Sequence, residues 1–192
     1  MDRDDLSRNL THWMSGTTKD EAFDHLYEII YSRTLRGSNI FIKGNYRCIC
    51  FTETPPKHFK CPNRKYQPFG IMYPKEQIFL MGGRPVIYQP EQEFFELPEK
   101  IRWRHMRYDL GAESSVDFTW EREWRLHENE LLLEPDSTTV LVPNEEWAEE
   151  LINRFDNDEN IRYQEECVGY CESLARWPEK FPFEIQLLNK FK

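Results

Sequence analysis

The sequence predicts a single α+β domain in which a mostly antiparallel sheet is flanked by helices. Three observations carry that expectation. Short β-rich runs recur between Gly and Pro turn signals along most of the chain, as in Tyr46–Thr54, Phe69–Tyr73 and Thr138–Val142. Two stretches instead show a 3.6-residue apolar period behind a recognisable N-cap. Finally, 192 residues with 39% hydrophobic and 15% aromatic content suffice for one core and argue against disorder, while no linker is long enough to divide the chain.

In chain order, Leu10–Trp13 reads as a short strand. Thr18-Lys19-Asp20-Glu21 fits a capping box, with Thr18 as the cap and Glu21 reaching back. The helix behind it places Ala22, Phe23, Leu26, Ile29 and Ile30 on one side, and Gly37 is its expected stop. Tyr46–Thr54 is a strand closed by Pro55-Pro56, and Phe69–Tyr73 is a second. Lys75–Met81 reads as a short helix, turned by Gly82-Gly83 into a strand from Pro85 to Tyr88. Gln92–Arg107 is expected to be helical in part, and Val116–His127 to be a strand. Leu131–Leu133 and Thr138–Val142 complete the sheet. Asn144 caps a helix from Glu145 to Phe155 with Trp147, Leu151 and Ile152 as its stripe. Residues 163–192, with Trp177-Pro178 and Phe181-Pro182-Phe183, read as an irregular strap on the core.

Charge and composition narrow the function classes. A net charge of −9 disfavours broad phosphate tracking on nucleic acid. No apolar run approaches the ~20 residues of a membrane span, and the first residues lack a secretory signal, so a cytoplasmic, non-membrane protein is expected. Five cysteines (Cys48, Cys50, Cys61, Cys167, Cys171) without paired C-x2-C knuckles point to free thiols and no metal site. The stretch Glu145–Glu159 holds seven acids and one arginine, a solvated helix face by composition. Lys100–Arg107 is the one basic cluster interleaved with an aromatic, so Trp103 is a candidate for stacking on a base.

The chemistry concentrates at Trp120-Glu121-Arg122-Glu123-Trp124-Arg125. On a strand Glu121 and Glu123 share a face roughly 7 Å apart, where two carboxylates repel by roughly 2–3 kcal/mol at an effective dielectric near 20. Such a pair is either neutralised, for instance by Arg125 in a surface ion pair, or used. A fixed carboxylate beside a ribose C1′ stabilises the cation that forms as an N-glycosidic bond breaks, and a second acid can orient or deprotonate the acceptor. Two other stretches stand out: Leu10-Thr11-His12-Trp13, and Cys50-Phe51-Thr52-Glu53-Thr54, where a buried Glu53 needs a partner such as Lys57 or His58.

The ordered pieces Leu10–Trp13, Ile49–Glu53, Tyr66–Ile71, Gly83–Tyr88 and Trp120–Arg125 resemble the AbiGi-type abortive phage-resistance family over roughly residues 8–142. Their order is also similar to the ADP-ribosyltransferase superfamily, including DarT-type toxins. That resemblance implies a split, mostly antiparallel sheet and NAD as substrate. By position it implies that His12, with Thr11 beside it, holds the NAD ribose. Thr52 or Thr54 would supply the second-strand hydroxyl, where some members carry Ser-Thr-Ser. Glu123 would stabilise the oxocarbenium ion, with Glu121 as its partner. The implied acceptor is a nucleic acid or a protein. The alternative it implies is a non-catalytic module of the same fold, acting as an antitoxin or immunity partner through the acidic helix. A two-carboxylate hydrolase of a sugar or nucleoside is a third reading.

Overall fold

The computed structural model describes residues 6–58, 66–111, 115–169 and 174–191. Strands in chain order are β1 (Asn9–Ser15), β2 (Thr34–Arg36), β3 (Ile49–Thr52), β4 (Tyr66–Pro74), β5 (Arg84–Pro85), β6 (Ile87–Gln89), β7 (His105–Arg107), β8 (Glu123–Leu126), β9 (Glu130–Leu132), β10 (Thr139–Val142) and β11 (Glu184–Leu187). The α-helices are α1 (Lys19–Ser32), α2 (Lys75–Leu80) and α3 (Glu145–Gly169). Seven strands form one sheet in the order β11-β10-β4-β1-β3-β8-β5. Only β10 and β11 in it are parallel, joined by the crossover through α3. The pairs β2–β9 and β6–β7 stand apart. The domain is therefore α+β with a mostly antiparallel sheet. Among the described residues no helix is long and apolar enough to cross a membrane.

Side-chain alternation divides the sheet into two faces. Leu10, Ile49, Phe51, Ile71, Tyr73 and Val140 join the main core beneath α1, whose Phe23, Leu26 and Ile30 are buried there. On β3 and β8 the opposite face carries the cross-strand pairs Cys50–Arg125 and Thr52–Glu123. That face forms the cleft described below.

The signals set by neighbouring residues take the expected form, with small shifts. Thr18 Oγ1 accepts from Glu21 N at 3.1 Å, as a capping box requires. Glu21 reaches one residue further back than expected, accepting from Thr17 N at 2.7 Å. The helix ends not at Gly37 but at Arg33, a left-handed cap (φ 52°) that sends the chain straight into β2. Gly37 serves another purpose: a Cβ there would come within 2.4 Å of the Glu128 carbonyl oxygen.

Several expected boundaries move. The Pro85–Tyr88 strand divides between β5 and β6, and the Phe69–Tyr73 strand begins at Tyr66. Gln92–Arg107 forms two 3-10 turns, Glu91–Glu96 and Glu99–Arg104, because Pro98 separates them, and then β7. Two arginines of the basic cluster are held by backbone carbonyls, while Lys100 is exposed. Arg102 donates to the Leu97 and Phe95 carbonyls at 2.9 and 3.1 Å, and Arg104 to the Pro85 carbonyl at 3.0 Å. Trp103 is buried and stacks on His127, so it is not available to a base.

Helix α3 runs to Gly169, well beyond the expected end at Phe155, and Ile152 is exposed. Several of its acids are engaged within the chain: Tyr27 donates to Asp158 at 2.5 Å, Lys180 to Asp156 at 3.0 Å and Lys190 to Glu145 at 3.1 Å. Arg162 bridges Glu159 and Glu166 at 2.9 and 2.7 Å. The residues beyond 174 are a strap only at first, since they then supply β11. Glu159 and Glu166 hold that strap by accepting from Glu179 N at 2.9 Å and Arg176 N at 2.8 Å. Both carboxyls lie below their usual 4.5, chiefly because Arg162 donates to them. Their contribution is present above that value and is lost as pH falls through the depressed folded values. Acidification from about pH 6 to about pH 3 is therefore expected to loosen the strap first. Fluorescence of Trp177, stacked on Tyr163, reads this, and Arg162→Ala should move the change to higher pH.

Candidate functional site

The sheet is thinnest between β1 and β3, which are registered through one pair, Thr11 opposite Thr52. The neighbouring backbone partner is replaced by a side chain. His12 Nδ1 lies 2.7 Å from the Cys50 carbonyl oxygen, which only accepts, so Nδ1 carries the proton of that bond. Burial lowers the His12 pKa, against the opposing pull of that carbonyl. The neutral ring therefore presents Nε2 as an acceptor.

A cleft of about 190 Å³ opens at this joint. Thr11, His12, Thr52, Thr54, Glu121 and Glu123 all line it. The glutamates arrive differently from expectation. They do not alternate along one strand: Glu121 ends a 3-10 turn (Thr119–Glu121), Arg122 is left-handed (φ 47°), and β8 begins only at Glu123. Both side chains are nonetheless buried at 6% exposure. The turn is imposed from β3 and the residues after it. Thr52 Oγ1 donates to the Glu121 carbonyl, Thr54 Oγ1 to the Trp120 carbonyl at 2.5 Å, and Glu53 N to the Arg122 carbonyl at 3.3 Å. The two threonine hydroxyls thus place the acid turn. Thr52→Val leaves the buried Glu121 carbonyl without that donor and is expected to cost about 1–3 kcal/mol, read from the urea unfolding midpoint.

Glu123 is ion-paired, but not at the surface. Arg125 Nε donates to its Oε1 at 2.7 Å, with Arg125 only 2% exposed. The rest of the guanidinium is held by the Trp103 and His105 carbonyls, each at 2.8 Å, and by Met106 Sδ at 3.5 Å. Burial is the strongest single influence and opposes the Arg125 charge, yet the neighbouring groups, led by the Glu123 carboxylate, together raise the Arg125 pKa. Tyr88 ties the two parts of the acid segment together. Its oxygen accepts from Glu123 N at 3.2 Å and its hydroxyl donates to the Phe118 carbonyl at 3.3 Å. Burial pushes that phenol up to about 12. The Tyr66 hydroxyl makes a long contact, 3.5 Å, to Glu121 Oε2. Burial first, then the charges of Glu121 and Glu123, push the Tyr66 phenol well above its usual range. Cys50 is likewise kept as a thiol by burial and by Glu123, and Cys48 is pushed up to about 11 mainly by burial.

Tyr66, Tyr88 and the buried role of Arg125 were not assigned from sequence. The first two sit in runs that alternate as strands, where an inward phenol beside an acid is the available signal. Glu53 belongs to neither Lys57 nor His58: it accepts from Lys75 Nζ at 2.7 Å and from Trp124 Nε1 at 2.9 Å. Cys61 and Cys171 lie outside the described residues. Among those described, no group of His, Cys, Asp or Glu is placed to hold a metal ion. No protein-family model, curated protein or solved structure matches the chain.

Proposed function

We propose that this cleft breaks the N-glycosidic bond of NAD, as an ADP-ribosyltransferase or an NAD glycohydrolase of the bacterial toxin or phage-defence type. One observation carries the reading: His12, Thr52, Glu121 and Glu123, distant in sequence, line the same cleft at the joint of β1 and β3. In this reading the fold is ADP-ribosyltransferase-like and the joint is where its sheet opens.

The electrostatics suit the chemistry. The described lining residues include the carboxylates of Glu121 and Glu123, groups that stabilise positive charge developing beside them. The nicotinamide ring of NAD is cationic, and so is the ribosyl group as that ring leaves. The C1′–N bond breaks with its electron pair going to nicotinamide. Glu123, already oriented by Arg125 and by Tyr88, then stabilises the oxocarbenium ion without reorganising solvent. His12 Nε2 accepts from a ribose hydroxyl. Water or an acceptor group attacks C1′ and gives up its proton to Glu121. The cleft is small against the ~300–1,000 Å³ of pockets that enclose whole drug-sized ligands, so it takes the nicotinamide–ribose end and leaves the adenylate outside.

The test is nicotinamide release from NAD, with nucleic acid and cell-lysate protein each offered as acceptor. Release is expected from the wild-type chain. No release above a Glu123→Gln control would remove this reading.

A further inference from the structure

We infer that Phe41, Ile40 and Trp120 form an apolar mouth to the cleft that grips the flat heteroaromatic ring of a nucleoside. The inference deepens the ribosyl-transfer reading by naming the part of the donor or acceptor held outside the acid floor.

All three side chains line the cleft, and all are unusually open to solvent: Phe41 is 93% exposed, Ile40 67% and Trp120 44%. Apolar surface left in water contributes nothing to folding, and a contiguous exposed patch beside a cleft marks a place for a partner. Phe41 also has a left-handed backbone (φ 63°), which side chains other than glycine rarely adopt. This placement is fixed rather than frayed. Ser38 and Cys48 exchange both backbone hydrogen bonds at 2.9 and 3.0 Å, closing the loop at its base. Within the loop Ile42 N donates to the Asn39 carbonyl and Asn45 N to the Ile42 carbonyl, and the Asn39 and Asn45 side chains join. Ile42 itself is buried against Cys48 and Trp103, so one residue anchors the loop while its neighbour projects. Trp120 is held from the other side of the chain by the Thr54 hydroxyl.

The chemistry of the occupant follows from rim and floor together. The rim offers aromatic faces, which stack planar rings. The floor offers the His12 acceptor and the Glu121 and Glu123 carboxylates, oxygen acceptors that suit hydroxyl donors or positive charge. A lipid chain or an apolar peptide side chain satisfies the rim but sets hydrocarbon against carboxylates. A flat ring joined to a polyhydroxyl sugar satisfies both. The ring comes either from the nicotinamide end of the donor or from another base, and the two are separable.

Isothermal titration with nicotinamide riboside, with adenosine and with ribose 5-phosphate tests this directly, without turnover. At least one ring-bearing nucleoside is expected to bind clearly more tightly than ribose 5-phosphate, and the tighter of the two identifies the ring. Phe41→Ala and Trp120→Ala are each expected to weaken it about tenfold, while Phe41→Tyr retains it. Phe41 is exposed enough that circular dichroism of its variants should match the wild type. Equal binding by Phe41→Ala and the wild type, or no preference for a ring, overturns the proposal. Nicotinamide release from NAD by the same proteins keeps the two readings apart. Ring binding without release retains the mouth and removes the ribosyl chemistry. Release with an unchanged KM in Phe41→Ala does the reverse.

Discussion

Arg125→Met is expected to destabilise the fold by about 3–5 kcal/mol and to lower Tm by roughly 6–20 °C. The guanidinium is 2% exposed and meets the Glu123 carboxylate, two backbone carbonyls and a thioether. Methionine fills similar volume but donates nothing. Glu123 is then buried without its counter-charge, and the Trp103 and His105 carbonyls lose their donor. Arg125→Lys should recover little, because an ammonium cannot present the planar fork that reaches these groups from one side chain. The informative variant is the double one. Glu123→Gln/Arg125→Met removes both charges, so it should lose less than Arg125→Met alone, giving a coupling energy of the sign expected for a buried pair. Thermal or urea unfolding of the three proteins measures this. A loss within about 0.5 kcal/mol for Arg125→Met would be the behaviour of a surface residue and would contradict the buried geometry.

That pair also shows where the sequence stopped being readable. Features set by neighbouring residues were legible: the Thr18 cap, the Asn144 cap with its oxygen 3.2 Å from Trp147 N, the short helix before Gly82, and the apolar stripe of α1. Features set from a distance were not. The bonds that bend the chain at Arg122 come from Thr52 and Thr54, some 66–69 residues earlier, so alternation alone put both glutamates on one strand. Spacing placed Arg125 on the face of Glu123 but said nothing of depth, and the pair read as a surface one. The second half of α3 lacks an apolar stripe to announce it: of the helix's buried positions Leu151, Phe155 and Glu159, only Glu159 lies there. Ion pairs and contacts to the strap hold it instead, and these are not periodic. The site residues were gathered by type and order, which survive such errors, since a turn can deliver Glu121 to the same cleft as a strand.

Glu123→Gln is expected to slow nicotinamide release about 10²–10³-fold, the usual loss when one preorganised electrostatic group is removed. Glutamine keeps the shape and can still accept from Arg125 Nε, so the change is mainly one of charge. It also leaves Arg125 buried without its carboxylate, and the rate is therefore to be compared at a temperature where circular dichroism shows the variant folded. Glu121→Gln separates the two acids. If Glu121 takes the proton of the attacking group, its removal should depress transfer to an acceptor by about 10²–10⁴-fold and affect the initial loss of nicotinamide much less. NAD labelled separately on the nicotinamide and on the adenylate reports the two quantities, as free nicotinamide and as label on the acceptor. A larger effect of Glu121→Gln on release would exchange the two roles. Wild-type release by both variants would mean that the carboxylates serve the fold alone.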